Sequence, residues 1–562
     1  MKYVIVGGVA GGASAAARLR RLDESAQIIM LEKDPHVSFS NCSLPYRLSE
    51  TIPTHEALVL MSPEKFQTQY NIEARVMSEV QAIHPKDKTV TVKALLTGET
   101  YDESYDKLIL APGASAVLPP LKGLEDANVF CLKNVVDTSR LYRFLHEGSV
   151  RRVTVVGGGF IGVETAENLT KAGYHVTLVE ALPQILRTLD YDLVQILHKE
   201  LLDHGVDLIL GDQAVACQQS DLVLASGRVI PGEALVMAIG VRPNSGLARD
   251  AGLALGTKDA IRVDQNYRTS DPNIYAVGDA IEVTNALTHK PMLLALAGPA
   301  QKQARAAADH ICGRPVRNTG FIGSNCIQVF ETSAAGTGLT SAQCEAAGLS
   351  YDTALVIPQD KVKLMPDSQP LFFKLIYEVP TGRILGAQAV SRGEAVKRID
   401  VVAALIKMGG TVEDLKDLEL CYAPPFSTAR DAENNAGMVA SNLLHQTFAQ
   451  VQLDQVRPLV EAGAYILDTR EASEYEASHI KTAVSIPLSQ LRDRLDEIPR
   501  DRPIYVYCHT ARRSYNACLA LQGHGFDQVF NITGSFLGLS MYEYFNDVTL
   551  KRDPIVTGYL FG

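Results

Sequence analysis

One local pattern occurs twice in this chain of 562 residues and restricts the fold more than any other feature. A β-branched run ending at Val6 leads into GGVAGG, then into the helix-compatible ASAAARLRRL, and then into an apolar run that ends at Glu32. The same order returns in VTVVGGGFIG, VETAENLTKAG and HVTLVE, which ends at Glu180. Each copy reads as strand, tight turn, helix, strand and acid, which predicts two Rossmann-like α/β domains.

The residue types of this pattern suit a bound dinucleotide. Glycines let the backbone turn sharply and approach a pyrophosphate, the helix start offers free N–H groups, and the acid accepts hydrogen bonds from ribose hydroxyls. The second copy has the full glycine spacing, whereas the first has Val9 where the middle glycine is expected. No arginine directly follows Glu180, which favours NADH over NADPH because a carboxylate repels a 2′-phosphate. A solvated strand end without a ligand is the alternative interpretation of Glu180. The predicted nucleotide-binding residues are Gly7, Gly8, Gly11, Gly12 and Glu32 in the first copy, and Gly157, Gly159, Phe160, Ile161, Gly162 and Glu180 in the second.

Composition excludes several other classes of protein. A net charge of -11 provides no basic surface for nucleic acid or an anionic membrane, so small molecules are the expected partners. Nine cysteines without a CxxC pair are typical of a reducing compartment, and we expect a cytoplasmic protein. No run of about 18 apolar residues predicts a membrane span. The N-terminal stretch could also be read as a signal peptide, but its glycine spacing favours the nucleotide turn.

Three further stretches carry a family resemblance. YDKLILAPGA, AIGVRPN and IYAVGDA resemble motifs of the pyridine nucleotide-disulfide oxidoreductase family. The resemblance implies an FAD domain split between residues 1–115 and 241–324, an inserted NADH domain at 116–240, and an α+β dimerisation domain at 325–445. It also implies that Asp279 binds the ribityl chain of FAD. Gly240 and Ala297 are further cofactor-binding candidates, and RIDVVAALIKMGG is predicted to form a buried helix of a homodimer.

The stretch FSNCSLPY places Cys42 among polar residues, which disfavours a buried, inert thiol. No second cysteine stands nearby, and SFSNCSLPY with CYAPPFSTARD resembles coenzyme A-disulfide reductases and their persulfide-reducing relatives. The resemblance implies a nucleophilic Cys42 beside the flavin, near a helix start, with a lowered pKa. It further implies that Phe160 covers the nicotinamide pocket, for which simple core packing is the alternative, and that Tyr422 of a partner subunit reaches Cys42. The implied substrate-binding residues on this side are Ser38, Asn41, Arg18 and Arg21.

Two departures leave the substrate open. The segment expected to supply a second tyrosine reads KVKLMPDSQP and contains none. A basic residue that helps to hold coenzyme A phosphates is replaced by Gln69 or Tyr70. Coenzyme A is therefore a candidate ligand. The related NADH peroxidases carry a histidine where this chain has Ala10, which argues against peroxide chemistry, whereas NADH oxidase activity stays open.

Two stretches near the end of the chain, YILDTREASEYEASHIKTAVSIPL and IYVYCHTARRSYNA, carry Asp468 with Arg470, His479 with Ile480, and a cysteine that ends a strand. They resemble the rhodanese family, and the resemblance implies an α/β rhodanese domain at residues 446–562. Cys508 is the candidate sulfur carrier, in a C-x4-R loop whose N–H groups can converge on sulfur. Arg513 and the substrate-binding candidate Arg512 add positive charge that favours a thiolate. Cys518 is expected in the core.

These observations predict an FAD-dependent enzyme that passes electrons from NADH through Cys42 to a persulfide, a polysulfide or coenzyme A disulfide. Cys508 would carry sulfane sulfur. The alternatives are a coenzyme A-disulfide reductase with an auxiliary sulfurtransferase domain, an NADH oxidase, or a sulfur sensor without turnover. No output domain is visible for the last of these. The sequence does not rank the acceptors.

Overall fold

The apolar runs that precede the glycine turns are the central strands of two parallel sheets in the computed structural model, which describes residues 1–561. Contacts divide the chain into two units, of which the first holds residues 1–183 and 209–321 and the second holds residues 184–208 and 322–561. The bounds predicted for four domains stay predictions.

The first unit contains most of the first twenty strands, and its helices are mainly those that cover the parallel sheets. The strands are β1 (Lys2–Val6), β2 (Gln27–Leu31), β3 (Glu73–Arg75), β4 (Ser78–His84), β5 (Thr89–Ala94), β6 (Thr100–Ser104), β7 (Lys107–Leu110), β8 (Ala114–Ala116), β9 (Val129–Phe130), β10 (Arg152–Val156), β11 (His175–Glu180), β12 (Asp207–Leu210, at the unit boundary), β13 (Ala214–Gln218), β14 (Asp221–Leu224), β15 (Val229–Ile230), β16 (Ala234–Met237), β17 (Val241–Pro243), β18 (Ile274–Ala276), β19 (Val283–Thr284) and β20 (Pro291–Met292). The helices are α1 (Ala10–Leu22), α2 (Pro63–Tyr70), α3 (Val135–Glu147), α4 (Phe160–Lys171), α5 (Tyr191–Asp203, in the second unit), α6 (Gly246–Asp250) and α7 (Ala297–Ile311).

The two parallel sheets confirm the Rossmann-like prediction. Their strand orders are β18-β7-β1-β2-β3 and β12-β11-β10-β16-β9, so the strand before each glycine turn lies in the middle. β1 pairs in parallel with β2 and β7, and β10 does so with β11 and β16. Strands buried on both faces read as continuous apolar runs, as VIV and IML do here. Three-stranded antiparallel sheets, β4-β5-β6 and β13-β14-β15, accompany them.

The second unit combines an antiparallel and a parallel sheet. The antiparallel sheet has the order β21-β22-β25-β24-β23, and the parallel sheet has the order β26-β30-β29-β27-β28. Their strands are β21 (Asn325–Val329), β22 (Thr332–Gly338), β23 (Tyr351–Val356), β24 (Leu371–Glu378), β25 (Ile384–Ser391), β26 (Ala449–Val451), β27 (Tyr465–Asp468), β28 (Val484–Ser485), β29 (Ile504–Tyr507) and β30 (Val529–Ile532). The helices are α8 (Ser341–Ala347), α9 (Val396–Met408), α10 (Val412–Lys416), α11 (Ala432–Leu444), α12 (Leu453–Glu461), α13 (Ala472–Ala477), α14 (Arg512–Gly523) and α15 (Ser535–Leu550).

The segment predicted as a buried helix is α9, and it is buried on one face only. Ile399, Val402 and Ile406 face the core, whereas Met408 at its end is 83% exposed. Across residues 1–561, every helix is too short or too polar to cross a bilayer.

Candidate active sites

The two glycine turns have the same construction. Gly7 and Gly157 adopt left-handed backbone conformations with φ of 97° and 111°. A Cβ atom on Gly7 would lie 2.1 Å from the carbonyl oxygen of Ala111, and one on Gly157 would lie 2.4 Å from that of Ala238. Each turn therefore passes so close to the neighbouring strand end that only glycine fits.

The last glycine of each turn lies at a backbone crossing, where the start of the helix passes close to the carbonyl oxygen of the first glycine. A Cβ on Gly12 would lie 1.8 Å from the oxygen of Gly7, and one on Gly162 would lie 1.8 Å from the oxygen of Gly157. Gly159 is different, because no protein atom lies within 4 Å of the position of its Cβ. Helices α1 and α4 begin without a side-chain cap, so their first N–H groups remain available to an anion. Open space and free donors at the helix start fit a pyrophosphate.

An acid closes each turn through backbone hydrogen bonds. Glu32 accepts from the N–H groups of Gly8 at 2.8 Å and Asp34 at 3.0 Å. Glu180 accepts from Gly158 at 2.6 Å and Leu182 at 2.9 Å. A carboxylate offers about four acceptor sites, so both acids retain capacity for ribose hydroxyls. Burial raises the pKa of Glu32.

The other cofactor-binding candidates occupy different settings. Gly8 and Gly11 are packing positions, where a Cβ would lie 2.6 Å from Val37 and 3.1 Å from Val277. Asp279 lies in a short 3₁₀ turn, Gly278–Ala280, and its Oδ2 atom pairs with Lys133 Nζ at 3.3 Å. The remaining candidates stand at element ends, with Ala297 first in α7, Phe160 and Ile161 half-buried at the start of α4, and Gly240 exposed after β16 with φ of 123°.

Cys42 is exposed in a three-residue 3₁₀ turn, Asn41–Ser43. We expected a helix start to lower the pKa of Cys42, and this expectation is wrong because burial and the surrounding side chains together raise that pKa. Partial desolvation raises the pKa of the Cys42 thiol, the carboxylates of Glu164 and Asp279 raise it further, and Lys133 opposes them. A turn this short has no α-helical dipole to stabilise a thiolate.

Among the charged groups that act on Cys42, Glu164 has the largest effect on the pKa of its thiol. It lies on α4, one helical turn after Phe160, and accepts a hydrogen bond from Tyr46 Oη at 3.3 Å. Burial raises its pKa to about 7, against the opposing effect of the Tyr46 hydrogen bond. The site therefore holds a carboxyl group that can give or take a proton near neutral pH.

The four substrate-binding candidates predicted for the reductase site are only partly free to meet a ligand. Ser38 has φ of 48° and donates its N–H to the oxygen of Gly8 at 2.7 Å, which ties the cysteine loop to the first glycine turn. Asn41 begins the 3₁₀ turn. Arg18 is paired with Asp309, with Nη2 at 2.5 Å, whereas Arg21 is exposed with its guanidinium 5.7 Å from the ring centre of Tyr70. Arg21 is thus the freer cation.

Cys508 lies at the end of β29 and is 1% exposed. The hydroxyl of Ser514 donates to its Sγ atom at 3.6 Å, and that of Ser535 lies 4.0 Å from the same sulfur. Ser535 also accepts from the Cys508 N–H at 3.1 Å. The loop turns at Ala511 with φ of 69° before α14 begins. Two hydroxyl groups thus lie at this sulfur, while the convergence of loop N–H groups on it stays a prediction.

The two arginines that follow Cys508 play different parts. Arg513 donates to both carboxylate oxygens of Glu474, at 2.6 and 2.7 Å, and also reaches the sulfur of Cys508. The Arg513 hydrogen bonds hold the pKa of Glu474 at about 2. Arg512 is exposed at the start of α14. Arg513 is therefore held against the sulfur, and Arg512 is free to meet a ligand.

The residues that carry the rhodanese resemblance are joined to one another and to neighbouring backbone groups by hydrogen bonds. Arg470 is 1% exposed and donates to both oxygens of Asp468 and to the carbonyl of Ser478. The N–H of Ile480 donates to Tyr507 Oη at 3.1 Å. His479 donates to the carbonyl of Tyr475 at 2.7 Å and stacks on its ring. Cys518 is fully buried, as predicted.

Comparison with known families agrees with this geometry. The model of the pyridine nucleotide-disulphide oxidoreductases matches residues 1–304, and the model of their dimerisation domain matches residues 326–433. The chain belongs to the pyridine nucleotide-disulphide oxidoreductase family. A rhodanese-like domain matches residues 452–541 of this oxidoreductase.

Its relatives cover either the reductase part or the whole chain. A coenzyme A disulfide reductase of Staphylococcus aureus (strain JH9) is 34% identical over 440 residues, which are 78% of this chain and 99% of the relative. The crystal structure of reduced Bacillus anthracis CoADR-RHD has a TM-score of 0.94 at 41% identity and covers 97% of this chain and 98% of that one. An NAD-dependent persulfide reductase from A. fulgidus has a TM-score of 0.91 at 32% identity, with coverage of 95% and 99%.

Sequence reasoning missed several residues of this oxidoreductase. Nothing in CLKNVVD or VETAENL relates Lys133 and Glu164 to Cys42, since only the fold brings them together. Glu474 caps Glu471 three residues before it, so in sequence it resembles an ordinary helix-capping residue. His509 directly follows Cys508, its Nε2 atom is buried without a hydrogen-bond partner in the described chain, and burial lowers its pKa.

Proposed function

We propose that this protein is an NADH-dependent flavoprotein reductase of persulfides, with disulfides of the coenzyme A type as further substrates. The observation that carries the proposal is a pair of cysteines in contrasting settings. Cys42 is exposed beside groups that move protons, whereas Cys508 is enclosed by hydroxyls and an arginine. Cys42 and Cys508 form no disulfide, so each acts as a single thiol. The similarity to a coenzyme A disulfide reductase of Staphylococcus aureus and to a persulfide reductase from A. fulgidus supports both substrates.

The residues of the chain suit a single-thiol exchange at Cys42. The thiolate would attack the outer sulfur of a persulfide R–S–SH, forming Cys42–S–SH and releasing the thiol R–SH. Lys133 favours the attacking thiolate and Glu164 can supply the proton that the leaving thiolate takes. Two electrons and a proton then break the S–S bond of Cys42–S–SH, release sulfide and restore the thiolate.

The residues of the two glycine turns suit the nucleotide cofactors that this reaction needs. The glycine turns with open helix starts suit two dinucleotides, and the family implies FAD and NAD(P)H. Bound FAD would carry the electron pair from the nicotinamide to sulfur. Glu32 and Asp279 would hold its ribose and ribityl hydroxyls. Glu180, followed by the uncharged Ala181, supports NADH over NADPH.

Cys508 would carry sulfane sulfur before reduction. Its thiolate takes the outer sulfur from a donor R–S–SH and releases R–SH, which leaves Cys508–S–SH. Arg513 and the hydroxyls of Ser514 and Ser535 would stabilise the anionic sulfur. A small carrier thiol would then take this sulfur to Cys42 as a new persulfide.

Coenzyme A is the carrier that the chain supports best. Arg21 and Arg512 are exposed cations suited to phosphates, whereas Arg18 already forms an ion pair with Asp309. With one tyrosine of the expected pair absent, coenzyme A disulfide reduction with an auxiliary sulfurtransferase is the second candidate function.

We also propose a homodimer with a shared site. Large apolar side chains are exposed within residues 325–445, where the dimerisation domain matches: Leu364 is 91%, Met408 83%, Phe426 75% and Tyr422 49% exposed. Burying such side chains against a second copy removes apolar surface from water. Tyr422 would then reach Cys42 of the other subunit. Sedimentation should give twice the mass of the chain, and a fully active monomer would contradict this arrangement.

Substitution of each cysteine tests the proposed function. Cys42→Ser should abolish NADH-dependent reduction of coenzyme A persulfide and coenzyme A disulfide alike, while sulfur transfer from thiosulfate to cyanide persists. Cys508→Ser should remove that sulfur transfer and slow persulfide reduction at low substrate concentration, yet leave coenzyme A disulfide reduction unchanged. Serine keeps nearly the same volume but lacks the thiolate.

Cys518→Ser is the matched control for Cys508→Ser, since Cys518 lies in the same domain but in its core. It should keep sulfur transfer in every properly folded preparation. Unchanged persulfide turnover in Cys508→Ser would refute the relay and favour the second candidate function. Retained reduction in Cys42→Ser would refute the role of Cys42 altogether.

A further inference from the structure

Three side chains of types that bind metal ions lie close together in the second unit, and all three are distant in sequence from Cys42 and Cys508. Glu200 and His204 stand one helical turn apart at the end of α5, and Glu331 lies in the turn between β21 and β22. One oxygen or nitrogen from each residue lies within 4.8 Å of the other two.

The imidazole of His204 is fixed with one nitrogen facing the cluster. Its Nδ1 atom lies 2.9 Å from the carbonyl oxygen of Glu200, and because a carbonyl only accepts, Nδ1 carries the hydrogen. The ring also stacks on Phe330, with centroids 3.8 Å apart and planes 5° from parallel. Nε2 then points at Glu331 Oε2 from 3.0 Å. Either a proton on Nε2 or a metal cation therefore has to join this nitrogen to the carboxylate oxygen.

Glu200 supplies an independent observation. The residue is 4% exposed, and its Oε1 atom is buried without a hydrogen-bond partner among residues 1–561. Its other oxygen, Oε2, accepts from Arg392 at 2.9 Å. Buried carboxylate oxygens are normally satisfied. Here one oxygen accepts from arginine, and the Glu200 carboxylate also lies beside that of Glu331, so the two acids need a proton or a cation between them.

We propose that Glu200, His204 and Glu331 bind a divalent transition-metal ion of the zinc type. One imidazole nitrogen and two carboxylate oxygens are ligands that zinc accepts, with water completing the shell. A hydrogen bond from the other imidazole nitrogen to a backbone carbonyl is the usual support of a metal-binding histidine. His204 is 30% and Glu331 62% exposed at the side chain, so an ion can enter from solvent. The bound ion fastens the end of α5 to the β21–β22 turn.

Zinc uptake by the intact holoenzyme tests this site. Wild type, His204→Gln and Glu331→Gln are freed of metal with a chelator, dialysed against buffered micromolar Zn²⁺ with a phosphine reductant, and measured by mass spectrometry for zinc per chain. Cysteines also bind zinc, but all variants retain the same nine, so the comparison isolates the cluster. Wild type should bind one zinc ion more than either variant. His175→Gln, which changes an exposed histidine in the first unit, is the control and should match wild type.

Thermal unfolding gives a second measurement. Zinc should raise the midpoint of wild type and His175→Gln but not of Glu331→Gln, since a ligand that binds the native state stabilises it. Glu331 lies exposed in a turn, so its substitution leaves the fold intact even where His204→Gln disturbs the Phe330 stack. Equal zinc uptake in wild type and Glu331→Gln would overturn the proposal and leave His204 and Glu331 as a protonated ion pair.

Discussion

Replacing Glu164 by glutamine should make the free energy of unfolding less dependent on pH between about 4.5 and 7. The carboxyl group has a pKa of about 7 against an ordinary value of 4.5, because burial disfavours its charged form. A group whose pKa is raised by folding contributes stability below its unfolded pKa, and this stability is lost as pH rises through the folded value. The free energy of unfolding of the wild type should therefore fall between pH 4.5 and pH 7 or slightly above. The Glu164→Gln variant lacks this contribution because glutamine has no proton to lose.

The gap between 4.5 and about 7 sets the size of the effect. Each pH unit is worth about 1.4 kcal/mol, so the full loss is about 3.4 kcal/mol. About 1.4 kcal/mol of that loss falls between pH 6 and pH 8, where the enzyme is convenient to measure. Tyr46→Phe removes the hydrogen bond that opposes the rise in pKa, so its loss of stability should move to higher pH.

Urea unfolding of the FAD-bound enzyme, followed by flavin fluorescence at pH 6 and pH 8, measures this difference. The unfolding free energy of wild type should fall by about 1.4 kcal/mol more than that of Glu164→Gln. Glu24→Gln, in an exposed turn after α1, controls for the loss of one carboxylate and should behave as wild type. An identical pH dependence in Glu164→Gln and wild type would refute the assignment of this titration to Glu164.

Three further predictions follow from other contacts. Alkylation of Cys42 by iodoacetamide at pH 7, measured by peptide mass spectrometry, should be faster in Glu164→Gln and slower in Lys133→Gln, because these groups raise and lower the thiol pKa respectively; equal rates would contradict that electrostatic account. Gly162→Ala should destabilise the protein by about 3 kcal/mol through its backbone clash, whereas Gly159→Ala should change stability by less than about 1 kcal/mol but raise the KM for NADH. Glu474→Gln should lower kcat/KM for sulfur transfer by roughly 10- to 100-fold without affecting coenzyme A disulfide reduction, and full activity would show that Arg513 needs no anchor.

The two nucleotide turns could be predicted from the sequence because their requirements are local. A left-handed turn and a backbone crossing both demand glycine, and these demands appear directly at Gly7 and Gly12. The parallel sheets follow from apolar runs that alternate with helices. The rhodanese-like domain was recognisable for a similar reason, since Asp468 and Arg470 are close in sequence as well as in space.

The chemistry around each cysteine could not be predicted in the same way. Glu164, Lys133 and Asp279 come from three distant parts of the chain, and their combined effect on Cys42 exists only once the first unit has folded. The expected pKa-lowering effect of a helix start at Cys42 was wrong for this reason, whereas the effect of bound flavin on this pKa stays a prediction. The anchoring of Arg513 by Glu474 likewise joins α13 to α14, and no local pattern connects these helices.

The backbone crossings at Gly12 and Gly162 determine where laboratory evolution of this enzyme can succeed. Any side chain at these two positions meets a carbonyl oxygen 1.8 Å away, so libraries that randomise them will mostly yield unfolded protein. Ala181 and Leu182, which follow Glu180, are exposed and accept other side chains without repacking. A programme to exchange the nicotinamide nucleotide should therefore keep the glycines and diversify this strand end, where a new arginine can meet a phosphate at little cost in stability.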